Sequence, residues 1–208
     1  MTPNEMFPRS TALLRREIAK ADVPQRMRTR PRDARGYPIP FLVMIDRNGT
    51  PQFTINDDAK AAACRAKRLC AICGKRFDPD GVWFVGGSRC FLHEHGAFID
   101  PPSHLECATY SLRVCPFLAA SRYMRRIDDA KLAPGAMPDD KVLVRTEAVA
   151  PRLPERFGLG RTSRYRFEGP HFGCFVVEQW DYVEWWRAGA PCETPDTGEP
   201  VAIEEMLT

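Results

Sequence analysis

Two short stretches constrain this chain more than anything else in it: Cys70-Ala71-Ile72-Cys73 and His104-Leu105-Glu106-Cys107. Thiolates and imidazoles in closely spaced pairs are what a tetrahedral zinc ion takes, and four ligands drawn from two places tie distant backbone into one unit. Gly74-Lys75 follows the first pair, which gives it the form of a zinc knuckle. A glycine there lets backbone N–H groups turn toward the two thiolates. His104 and Cys107 are three apart and share one face of a helix. The neighbourhood is rich in further ligands, because residues 90–107, CFLHEHGAFIDPPSHLEC, hold two cysteines, three histidines, two glutamates and an aspartate. Cys90 and His93, also three apart, are therefore a competing pair. His93 and His95, two apart, share one side of a strand and can grip a second ion together.

Whether such cysteines bind metal or form disulfides depends on compartment. The start, MTPNEMFPRSTALLRREIAK, lacks an apolar signal core. The longest apolar stretch, IPFLVMI, is far short of the ~20 residues that cross a bilayer. A reducing cytoplasm with no membrane association is the expectation, and there clustered Cys and His read as metal ligands. Cys64, Cys115, Cys174 and Cys192 have no partner at metal spacing and read as small buried hydrophobes. Net charge is only +3, but it is unevenly spread. Residues 1–35 hold nine Lys/Arg against four Asp/Glu, whereas residues 178–208 hold one Arg against eight acidic side chains.

The chain divides at its Pro/Gly-rich loops into a basic, partly disordered head (1–35), a central unit (36–125) and a β-rich region with an acidic tail (126–208), the last two expected to pack as one. In the head, STALLRREIAKA has helical periodicity, and QRMRTRPRDARG, with five Arg, reads as extended and mobile. YPIPFLVMIDRNGTPQFTIN reads as two strands turning at Asn48-Gly49. DDAKAAACRAKRL is a helix capped by Asp57 or Asp58 that leads into Cys70. GVWFVGG and CFLHEHGAFI read as a hairpin joined by GGSR. Asp100 is expected to cap a helix with Pro101 and Pro102 in its first turn, running until Pro116 breaks it. Farther on, KVLVRTE, SRYRFEG, FGCFVVE and DYVEWWRAG have strand character, and VAIEEML is a short helix.

Knuckle, β-hairpin, then a helix whose start supplies the last two ligands is the layout of the treble-clef zinc fingers, which this stretch resembles. The expected fold class is accordingly α+β: a treble-clef-type zinc unit, ligated by Cys70, Cys73, His104 and Cys107, packed with a small C-terminal antiparallel β region. More widely, CAICGK…WFVGG…DPPSHLECATYSLRVCPFLA…VEWWRAG resembles a group of uncharacterised zinc proteins from bacteria, actinobacteria among them, and their phages. The resemblance implies a shared fold, a zinc site and a phage or bacterial origin, but no activity.

Closed Cys/His sites are structural, so the expected role is non-catalytic binding of nucleic acid or of a protein. For nucleic acid the candidates are Arg26, Arg28, Arg30, Arg32 and Arg35, with a basic helix around Lys60, Arg65, Lys67 and Arg68 and the knuckle residues Lys75 and Arg76. For a protein, Trp180, Trp185, Trp186 and Tyr182 are possible anchors, although such aromatics also build cores. The alternative is an HNH-like metal-dependent nuclease in which His93, His95 and Asp100 hold a second metal and activate water. Against it, the doublet is neither Asp-His nor His-His, no Asn follows at that family's spacing, and the final pair is His-x-x-Cys rather than Cys-x-x-Cys.

Overall fold

The computed structural model describes residues 22–92, 96–119, 156–169 and 173–193, which combine helices with antiparallel sheets. The first sheet is the expected hairpin: β1 (Val43–Ile45) pairs with β2 (Pro51–Asn56). Gly49 takes the positive φ, +80°, that the turn needs. The residue that organises the turn is Asp46, whose carboxylate accepts from the Asn48 and Thr50 N–H groups and the Gln52 side chain. Helix α1 (Asp58–Lys67) starts where Asp57 accepts the Lys60 N–H at 3.1 Å, an ordinary N-cap on an alanine-rich run. It stops at Arg68, which adopts the left-handed conformation, φ +53°, and donates its N–H to the Cys64 carbonyl.

The expected hairpin of GVWFVGG and CFLHEHGAFI does not form. β3 (Val82–Gly87) pairs instead with β5 (Phe157–Thr162), in a four-stranded sheet continued by β8 (Tyr182–Arg187) and β9 (Ala190–Cys192). β4 (Gly96–Phe98) pairs with β7 (Cys174–Gln179), which pairs with β6 (Arg164–Glu168). Between β3 and β4, where GGSR was expected to turn, lies the short helix α2 (Ser88–Leu92). The reason is Phe91. Its ring stacks on Trp180 at 4.7 Å and meets Phe98 at 5.3 Å and Trp185 at 5.5 Å. The alternating glycines of FGLGRT leave room for it: a Cβ at Gly158 would stand 2.5 Å from the Phe91 ring, and one at Gly160 2.4 Å from Trp180. Burying one such ring is worth about 1.5–3 kcal/mol, more than an isolated two-stranded hairpin offers. The tryptophans therefore belong to packing: Trp186 is buried, Trp180 and Trp185 are half-buried, and only Tyr182 of that group is exposed.

Helix α3 (Leu105–Val114) also begins later than expected. Asp100 does not cap it. A residue before proline is driven to extended backbone, which holds both Asp100 and Pro101 out of the helix. Ser103 is then taken up as a strand-like partner of Trp83, with N–H···O bonds of 2.8 and 2.9 Å in both directions. The helix ends at Cys115, before Pro116, as expected, and α4 (Pro116–Ala119) follows. The segments STALLRREIAKA, KVLVRTE and VAIEEML lie outside the described residues.

From Asp22 onward the arginine-rich stretch is not simply extended. Gln25–Met27 is a 3-10 turn, and Met27 is buried among Tyr37, Cys70, Cys73, Cys107 and Tyr110. Arg26 bridges Asp78 and Glu106. Arg30 donates to the Ile39 carbonyl at 2.9 Å and lies over the Phe41 ring. Arg32 donates to the Gly36 carbonyl, and Arg35 pairs with Asp33 and covers Tyr37. One methionine among five arginines anchors the segment, and charge counting does not register it.

Gly160→Ala is expected to lower stability by about 1–3 kcal/mol, since the new methyl must displace packed rings rather than a flexible side-chain tip. A shift in the denaturant midpoint, with loss of near-ultraviolet tryptophan dichroism, is the measurement.

Candidate metal centre

The first pair of thiols sits on a tight loop whose backbone is fully engaged. Leu69 and Arg76 bridge, the Cys70 N–H donates to the Lys75 carbonyl, and Gly74 N–H donates to the Cys70 carbonyl, both at 2.9 Å. Gly74 is required twice over. Its φ is +74°, and a Cβ there would lie 2.7 Å from the Phe41 ring that packs on it. With the loop so closed, the N–H groups of Ile72 and Cys73 point at the Cys70 sulfur at 3.4 and 3.5 Å. The loop is clamped from both sides: Phe41 and Leu42 donate to the Ile72 and Ala71 carbonyls, and Ala71 donates to Pro102. That last bond carries the knuckle to the segment that supplies the second pair.

His104 is the N-cap residue of α3, and Cys107 lies in its first turn. His104 makes no capping hydrogen bond, because its ring is turned into the cluster. Four ligand atoms, the Cys70, Cys73 and Cys107 sulfurs and one His104 nitrogen, lie within 4.8 Å of one another, all on buried residues. Cys70 and Cys107 are 0 % exposed. His104 Nδ1 is 3.4 Å from Cys73 Sγ. A tetrahedral ion bonded at ~2.3 Å to sulfur and ~2.0 Å to nitrogen has an S···N edge of roughly 3.5 Å. The other ring nitrogen, Nε2, is 3.0 Å from the Arg76 carbonyl. A carbonyl can only accept, so Nε2 carries the proton and Nδ1 presents its lone pair to the cluster. This is the outer hydrogen bond that fixes a ligating imidazole in the correct tautomer.

Electrostatics make the same point. Burial pushes the Cys70 thiol up, but hydrogen bonds from the Cys107 and Cys73 thiols and from backbone N–H groups outweigh it and bring it down to about 3. The Cys107 thiol, hydrogen-bonded to Cys70 and Cys73 and buried beside them, is pushed up. Protons are standing in where a cation would let all three sulfurs ionise. Among the described residues this Cys₃His group could hold a metal ion, and soft, closely spaced donors suit a thiophilic one.

The competing ligands do not join it. Cys90 lies on α2 beside Gly86, away from the cluster. His93 and His95 are outside the described residues. The Asp100 carboxylate accepts from the Asn56 side chain at 2.6 Å. Of the four unpaired cysteines, Cys64 is buried next to the knuckle, and Cys115, Cys174 and Cys192 are half-buried. Lys75 and Arg76 are exposed on the knuckle. Sequence reasoning missed the Arg76 carbonyl and the Phe77 ring, 5.1 Å from the His104 ring. A backbone acceptor leaves no mark on residue identity, so no signal could have found it.

No protein family, curated protein or solved structure matches the chain. No helix among the described residues is long and apolar enough to cross a membrane.

Burial pushes the Cys64 thiol up to about 12, with the neighbouring Cys70 adding to the effect. A raised pKa keeps the neutral thiol below that pH, and only the thiolate is nucleophilic. Cys64 is expected to resist iodoacetamide at about pH 8 in the folded protein and to react once it is denatured; peptide mass spectrometry reads both states.

Proposed function

We propose that Cys70, Cys73, His104 and Cys107 hold one structural zinc ion in a treble-clef-type site, and that the protein acts by binding nucleic acid through the basic face beside it. The observation that carries the zinc reading is the locked His104 ring, with Nε2 held by the Arg76 carbonyl and Nδ1 aimed at the thiols. Four protein ligands leave no position for water or substrate, which supports a staple rather than a reaction centre. The order of knuckle and helix start supports the treble-clef reading, whereas β3 and β4 between them pair with β5 and β7 rather than with each other.

The basic face is formed by Arg65 and Lys67 near the end of α1, Arg68 at its cap, and Lys75 and Arg76 on the knuckle. Among the described residues none of these five has a carboxylate partner. Arg26, Arg35 and Arg166, by contrast, are all ion-paired. Unpaired cations that the zinc loop holds together are suited to phosphates.

Elemental analysis is expected to find one zinc per chain. Because structural zinc supplies about 10–16 kcal/mol in small fingers, Cys107→Ser should lose the metal and the folded state, while Cys64→Ser keeps both. Full zinc content in Cys107→Ser, or none in the wild type, overturns the site. The binding role predicts retention of zinc-loaded protein on an immobilised oligonucleotide at low salt, released as salt rises.

A further inference from the structure

The basic face is not flat. A cleft of about 340 Å³ opens between α1 and β6, lined by Arg65, Arg68, Phe77, Tyr165 and Phe167 among others. A second, of about 220 Å³, also has Arg68 and Phe77 in its wall, with Lys67, Arg76, Pro79 and Asp78, whose carboxylate is paired with Arg26. The two share Arg68 and Phe77 in their walls, so they are neighbours, and together they are treated as one groove. We infer that this groove is a single-strand nucleic-acid site, in which Arg68 bridges successive phosphates and a base seats against the aromatic wall of the larger cleft. This deepens the nucleic-acid reading above and rests on it.

Two observations select a single strand over a duplex. The surface is concave and the larger cleft is of nucleotide size, whereas reading a duplex requires an element that projects into a groove. The wall offers both rings and a guanidinium, since Arg65 lies over Phe167 at 4.6 Å and lines the same cleft. Stacking on such planes is how sequence-tolerant single-strand sites hold bases. Backbone conformation marks out Arg68. It occupies a left-handed helix cap, φ +53°, where glycine or asparagine is the residue the geometry favours, so an arginine there carries some backbone strain.

That strain supplies a clean test. Arg68→Gly removes the side chain and relieves the cap at once, so it keeps or raises the thermal midpoint. Its effect on binding cannot then be blamed on unfolding. The measurement is fluorescence anisotropy of a labelled oligothymidylate with full-length, zinc-loaded protein, beside a duplex of equal length. The inference expects tighter binding of the strand than of the duplex, a loss of about tenfold in Arg68→Gly, and a shallower salt dependence in that variant. Arg65→Ala is expected to weaken binding similarly. Strand binding that is unchanged in both variants, or a preference for duplex, overturns the groove assignment and leaves the proposed function standing. Retention of neither strand nor duplex at low salt overturns the nucleic-acid reading itself, and this inference with it.

Discussion

Three sulfurs and an imidazole nitrogen within 4.8 Å of one another are the constraint on which the rest of the described structure depends. Three ionised thiolates in a buried space repel strongly, and burial alone would keep them protonated. A metal ion held there would turn that repulsion into four bonds. It would join a loop between α1 and β3 to the start of α3, around which other side chains gather. Met27, Tyr37, Tyr110 and Val114 pack around the sulfurs, and Arg26 ties the N-terminal turn to Asp78 and Glu106 on either side. The cluster is thus a small core in its own right, with the metal site in place of a large apolar side chain.

A second, separate core lies between the sheets, and it is aromatic. Phe84, Phe91, Phe98, Phe175 and Trp180 meet edge-on or tilted, apart from the stacked Phe91–Trp180 pair, at ring separations of 4.7 to 6.4 Å. Aromatic rings gain from such geometries beyond their buried area. The two cores meet at Phe77, which touches the His104 ring on one side and the aromatic cluster on the other. Phe77 also lines both basic clefts. Phe77 therefore links the His104 side of the ligand cluster to the walls of both clefts.

The arginines divide by partner rather than by position. Those between residues 26 and 35 are taken up by Asp78, Glu106, Asp33, backbone carbonyls and aromatic faces, and act largely as struts. Those at the end of α1 and on the knuckle have no carboxylate partner among the described residues. Both sets look alike in composition, since a guanidinium carries the same charge whether it is paired or not.

What the sequence determined by itself was local. Ligand spacing named Cys70, Cys73, His104 and Cys107, which the fold brings together. Asn48-Gly49 marked a turn, Asp57 or Asp58 a helix start and Pro116 a helix end, because each of these features is decided by one residue's own dihedrals or hydrogen-bonding groups. Pro101-Pro102 misled, since proline suits a first helical turn and an extended lead-in equally, and the Trp83–Ser103 pairing chose between them. Only the tertiary structure decided that β3 and β4 part company. Their ladders lie with residues 157–162 and 174–179, and the choice rests on the fit of Phe91 against Gly158 and Gly160. Side-chain period tells a strand which face to bury but is silent about its partner, because backbone hydrogen bonds are the same whichever strand supplies them.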